Sequence, residues 1–236
     1  MKRRIIVALD TDSPEDALAT VKALSGEVGM YKVGMELFPR GGPALLRRIR
    51  EAGFDVFLDL KFHDIPNTVA GAVRSAAALG VKFATVHASG GRAMLTAAAE
   101  SARGTGTTIL AVTVLTSLDD ADLADVGFSV GTAAAVARLA DLAVSCGIDG
   151  IVCSAKEVES VRARVGKCVT LVTPGVRMPE DAVGDQKRVV TPADAIRRGA
   201  DYLVVGRPIT KAADPAAAAR AIAASMRGVD TEGGRP

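Results

Sequence analysis

Short apolar, β-branched runs recur along the chain at residues 5–9, 30–33, 56–60, 83–87, 108–115, 150–153, 169–173 and 202–205. Between them lie segments in which Ala, Leu, Arg and Glu repeat at helical spacing, as at 43–52, 68–79 and 132–146. Ser13-Pro14-Glu15-Asp16 predicts a helix start: a capping hydroxyl, a proline in the first turn, and acids at the positive end of the helix. Gly53, Gly80, Gly147 and Gly199 each fall just before a strand, where a helix needs a left-handed C-cap.

Strict alternation of strand and helix implies parallel strands joined by right-handed crossovers. Eight such units predict a closed (β/α)8 TIM barrel, a single α/β catalytic domain over residues 1–227, and 236 residues suit a fold that needs about 250. An open doubly wound sheet is the alternative, but neither GxGxxG nor GxxxxGK[ST] occurs. From Gly228 to Pro236 the chain is polar and glycine-rich, which predicts a disordered tail.

Composition narrows the class. With 49% hydrophobic residues, 24% charged residues and a net charge of +2, the chain has the balance of an ordinary core-forming protein. Near-neutral charge and 3% aromatic content argue against a nucleic-acid surface. No apolar run reaches transmembrane length, and the run after Met1-Lys2-Arg3-Arg4 stops at Asp10, too short for a signal peptide. Cys146, Cys153 and Cys168 are odd in number and lack CxxC spacing, so they read as buried thiols in a reducing cytoplasm, with neither a disulfide framework nor a zinc site.

In a barrel the chemistry belongs at the C-terminal ends of the strands. Strand one ends at Asp10, strand two carries Lys32, and strand three reads Val56-Phe57-Leu58-Asp59-Leu60-Lys61. Alternation puts Asp59 and Lys61 on one face, toward the mouth, and Val56, Leu58 and Leu60 on the other, against helices. Lys32, Asp59, Lys61 and Asp64 sum to zero charge and can form alternating ion pairs. Rim salt bridges are the bland explanation for any one of them, but two inward charges on one strand have little packing purpose.

Val205-Gly206-Arg207 after the last strand suits a phosphate: glycine admits it to the backbone and arginine grips it bidentately. The polar loop from Pro174-Gly175-Val176-Arg177 through Gly184-Asp185-Gln186-Lys187-Arg188 exceeds the other loops in length and reads as a lid. Neither His63 nor His87 has HxH or HExxH spacing, so no metal site is expected. His87 reads as a hydrogen-bonded structural residue rather than a proton shuttle, and His63 is given no chemical role.

Over essentially its whole length the chain resembles the orotidine 5'-monophosphate decarboxylase family. The likeness rests on Ala8-Leu9-Asp10, Tyr31-Lys32-Val33-Gly34, the unbroken Asp59-Leu60-Lys61-Phe62-His63-Asp64-Ile65-Pro66-Asn67-Thr68, and Val114-Leu115-Thr116-Ser117. It continues through Thr173-Pro174-Gly175-Val176-Arg177, Gly184-Asp185-Gln186-Lys187-Arg188 and Val205-Gly206-Arg207-Pro208-Ile209, with Val176 where the family has isoleucine. The resemblance implies a cofactor-free lyase, needing no metal, pyridoxal or thiamine, that converts orotidine 5'-monophosphate to UMP and carbon dioxide. It implies Lys61 as proton donor, with Lys32, Asp59 and Asp64 completing a charge network. Asp64 and Thr68 would come from the neighbouring subunit of a homodimer. Asp10 and Lys32 would hold the ribose hydroxyls, Thr116 would lie near the pyrimidine, and Arg177, Gln186, Gly206 and Arg207 would line the phosphate end.

Two other functions stay open at this point. A magnesium-dependent sugar-phosphate decarboxylase or aldolase of the same barrel group shares the DxKxxD pattern of Asp59, Lys61 and Asp64. The other is a silent barrel that senses a phosphorylated ligand; it would keep Arg207 and could lose Lys61.

Overall fold

A computed structural model describes residues 1–178 and 190–229. Eight strands, β1 (Ile5–Ala8), β2 (Met30–Gly34), β3 (Asp55–Phe62), β4 (Phe83–His87), β5 (Thr108–Val112), β6 (Gly150–Val152), β7 (Thr170–Pro174) and β8 (Tyr202–Val205), pair in sequence order. Every pair is parallel, and β8 returns to β1 through the register Ile5↔Leu203 to Val7↔Val205, which closes the barrel. The (β/α)8 TIM barrel expected from the alternation is the fold.

The connecting helices are α1 (Pro14–Ala23), α2 (Phe38–Glu51), α3 (Pro66–Ala78), α4 (Gly91–Ala102), α5 (Asp120–Asp125), α6 (Thr132–Ser145), α7 (Val158–Val165), α8 (Pro192–Arg197), α9 (Arg207–Thr210) and α10 (Pro215–Ser225). Ser13 caps α1 by accepting from the Asp16 amide at 3.1 Å, with Pro14 in the first turn, as its sequence predicts. Gly42, at φ 51°, breaks α2, and Pro43 restarts it where the helical periodicity begins.

Alternation along the strands sorts the core into two bodies. Ile6, Ala8, Met30, Phe57, Phe83, Leu110, Val172 and Val204 fill the barrel interior, while Ile5, Val7, Tyr31, Val33, Val56 and Leu58 face the helices. Phe83 stands edge-on to both Phe57, 6.0 Å away, and Tyr202, 5.2 Å away. These rings fill the interior below the charged mouth.

At the opposite end Arg162 on α7 ties three elements together. Its guanidinium donates to the carbonyls of Gly166, Val169 and Gly199 and to Asp201, whose Oδ2 also accepts from the Leu171 amide at 2.8 Å. One cation thus satisfies carbonyls that helix C-termini leave unpaired.

One expectation, that all three thiols are buried, needs correction. Cys146 and Cys153 are buried thiols, but Cys168 is exposed, because it lies in the turn between α7 and β7. Within the tail expected from 228, Val229 packs partly buried against the core; residues 230–236 lie outside those described.

Candidate active site

β3 is where the pleat breaks. Leu58 pairs with Ala84 and Phe62 with Val86, so four steps along β3 match two along β4. The excess is absorbed around Lys61, which has φ 50° and is the sole non-glycine residue with positive φ among those described. For a side chain other than glycine, that conformation costs about 1 kcal/mol or more and persists where surroundings enforce it. Here the enforcement comes from β4: the Lys61 amide donates to Thr85 Oγ1 at 2.9 Å, and Thr85 is fully buried.

Beside the bulge the charged side chains of β2 and β3 converge. Lys61 Nζ lies 2.9 Å from Asp59 Oδ1, while Asp59 Oδ2 faces Lys32 Nζ at 3.7 Å. Lys32 continues to Asp10 Oδ1 at 2.9 Å. The row Asp10–Lys32–Asp59–Lys61 alternates in sign, and its inner members are largely shielded, with Asp59 8% exposed. Gly34 adjoins it: a Cβ there would stand 3.0 Å from Lys32 Nζ, tighter than an ordinary contact.

Asp64 does not join the row within this chain. It is exposed and accepts from the Ile65 amide at 2.7 Å. Thr68 is likewise exposed, and between them Ile65 presents an apolar side chain that is 67% exposed. The fourth charge of the row inside one chain is therefore Asp10.

Thr116 sits half-buried in the loop after β5, within a turn closed by the Leu118 amide on the Leu115 carbonyl. Arg177, three residues beyond the end of β7, is buried and donates to the Val176 carbonyl at 2.9 Å. Gly206 is the N-cap of α9 and Arg207, exposed, its first residue. Gln186, with most of the loop expected to act as a lid, lies outside the described residues.

His87 differs from expectation. Among the described residues its side chain has no hydrogen-bond partner, and its ring packs against His63 at 5.4 Å instead. Burial, then the neighbouring His63 and Lys61 charges, hold its imidazole below the ordinary value of 6.5. Sequence reasoning missed Thr85 and gave Gly34 no role. A polar residue at the inward position between Phe83 and His87 was the available signal for Thr85.

Fold and site together define a (β/α)8-barrel enzyme with a row of alternating charges at the C-terminal mouth. The sequence profile described as Orotidine 5'-phosphate decarboxylase / HUMPS family matches residues 3–222, and the chain belongs to this family. It is 57% identical over 223 residues to orotidine 5'-phosphate decarboxylase of Anaeromyxobacter sp. (strain K), covering 94% of this chain and 98% of that one. The enzyme of the same name from Dichelobacter nodosus is 53% identical over 224 residues, 94% and 98% of the two chains. The crystal structure of orotidine 5'-phosphate decarboxylase from Lactobacillus acidophilus superposes with a TM-score of 0.85 at 38% identity, covering 96% and 100%.

Proposed function

We propose that this chain decarboxylates orotidine 5'-monophosphate to UMP and carbon dioxide in pyrimidine nucleotide synthesis. The observation that carries the reading is the Lys61 ammonium held at 2.9 Å by Asp59 at the barrel mouth, in a chain so similar to named decarboxylases.

Breaking the bond from ring carbon 6 to the carboxylate leaves its electron pair on that carbon, where the pyrimidine cannot delocalise it. A fixed ammonium stabilises charge at the place it develops, so Lys61 lowers the barrier electrostatically and then transfers one Nζ proton to carbon 6. The neutral amine recovers its proton from water. Asp59 holds the Lys61 ammonium in place through its Oδ1 at 2.9 Å, and its Oδ2 faces Lys32 Nζ at 3.7 Å. No cofactor enters this scheme.

Asp10 and Lys32 take the ribose hydroxyls, and Thr116 lies beside the pyrimidine. Arg177, Gln186, Gly206 and Arg207 receive the phosphate, whose binding energy is used to close the site over the reacting carbon. Asp64 and Thr68 serve the site of a second copy in a homodimer; the exposure of both, with apolar Ile65 between them, supports a covered position for this loop. The three free cysteines suit the reducing cytoplasm as the place of work.

The magnesium-dependent alternative is less well supported, because relatives at 48–57% identity carry the orotidine name and both carboxylates of the row already face lysine ammoniums. Loss of orotidine 5'-monophosphate, followed spectrophotometrically in excess chelator, is the test. Undiminished turnover supports the reading. Activity that disappears with chelation, or no turnover at all, overturns it.

A further inference from the structure

Thr85 lies outside the residue pattern that carried the family resemblance, yet one hydroxyl there makes two bonds to the charged row. Its Oγ1 accepts from the Lys61 amide at 2.9 Å and donates to Asp59 Oδ1 at 3.0 Å. A hydroxyl has a single proton to give, so the assignment is fixed: the backbone N–H must be the donor to Thr85, and the carboxylate must be the acceptor from it.

Both bonds act on the reacting geometry. The first satisfies the amide that the β3 bulge takes out of the sheet, at the residue with positive φ. Without it the backbone of Lys61 has reason to relax toward an ordinary strand, which carries its Cβ elsewhere. The second fixes the Asp59 carboxylate so that Oδ1 meets Lys61 and Oδ2 turns to Lys32. Thr85 is 0% exposed, so water does not replace it readily, and β-branching restricts its χ1. A valine of nearly the same shape would pack equally well, so the hydroxyl is not explained by packing.

We infer that Thr85 is a positioning residue, a clamp on the β3 bulge that sets both the Lys61 ammonium and the Asp59 carboxylate. This rests on the decarboxylase reading for its kinetic consequence, but the clamp itself is a structural statement with its own readout.

The test compares Thr85→Val, Thr85→Ala and Thr85→Ser with the unaltered protein. A displacement on the order of 1 Å at a reacting group can cost about 10²-fold in rate, so kcat should fall about that far in Thr85→Val and Thr85→Ala. KM should change by less than about threefold, since the groups proposed to hold phosphate and pyrimidine are untouched. Thr85→Ser should regain most of the lost kcat. In parallel, hydrogen exchange at the Lys61 amide should be slow in the unaltered and serine proteins and fast in the alanine protein, whatever the substrate. Should the valine protein fail to fold, the serine and alanine pair carries the same comparison.

Normal kcat without the hydroxyl overturns the proposal, as does a serine variant no better than alanine. If the unaltered protein turns over no orotidine 5'-monophosphate, the decarboxylase reading falls, and the exchange experiment alone decides whether the clamp exists.

Discussion

Lys61 occupies a left-handed backbone conformation that its side chain disfavours, beside an aspartate and opposite a second lysine. Strain retained at such a point indicates a geometry enforced by its surroundings. Gly34 belongs to the same geometry, because an added methyl would meet the Lys32 ammonium at 3.0 Å. Its φ is not positive, so alanine is tolerated by the backbone. Gly34→Ala should therefore lower kcat/KM by about 10- to 100-fold through displaced charge with little change in melting temperature; unaltered kcat/KM would mean the ammonium position is unimportant. His87 gives a pH dependence. Its folded pKa lies below the unfolded value, so the unfolded chain binds the proton more readily. The stability it contributes is complete above about pH 6.5 and declines as pH falls through that value. His87→Gln should flatten the loss of urea midpoint below pH 6.5, and an unchanged pH profile would remove His87 from the acid response. Period-two alternation put Asp59 and Lys61 on one face. It could not foretell the bulge, because a register shift depends on the neighbouring strand.

Elements were legible in proportion to their length and pattern. The runs at 83–87 and 202–205 coincide with β4 and β8, while the run at 108–115 overshoots β5, because Thr113 and Val114 remain buried beyond the last strand residue, Val112. The six residues of α5 and four of α9 are too short to display a helical period. The end of β8 and α9 nonetheless carry the phosphate hypothesis through Gly206 and Arg207. Arg207→Ala should impair turnover of the phosphorylated substrate far more than that of the phosphate-free nucleoside, so the two deletions should be non-additive. Equal damage to both substrates would make Arg207 structural. At the far end, Arg162→Ala removes the cation paired with Asp201 and the donor to the Val169 and Gly199 carbonyls. It should cost about 2 kcal/mol or more and lower the melting temperature by roughly 4–8 °C, with kcat per folded molecule unchanged. A kcat loss there would indicate coupling between the two ends of the barrel.

At the scale of the whole molecule, the barrel followed from counting strand–helix units, and the family from motifs spread over its length. What one chain's sequence could not reveal is which charges meet within a single copy: Asp10 completes the row, and Asp64 stands outside it, exposed. The proposed dimer accounts for this by giving Asp64 to the partner's site. Lys61→Ala and Asp64→Asn homodimers should each be nearly inactive, yet mixing them places both lesions in one site and leaves the other whole. With free exchange about half the dimers are mixed, so roughly one site in four should recover. If subunit exchange is verified by mass and activity stays at the level of the parents, Asp64 acts within its own copy.

In the proposed reaction a lysine held in an alternating row of charges performs the decarboxylation without a metal. Its most direct measurement is steady-state turnover of orotidine 5'-monophosphate by the unaltered protein and by Lys61→Ala, both in excess chelator. The first should retain full activity, and the second should lose about 10³-fold or more in kcat with a smaller change in KM. Near-normal turnover by Lys61→Ala, or an unaltered protein silenced by the chelator, would contradict the proposed reaction.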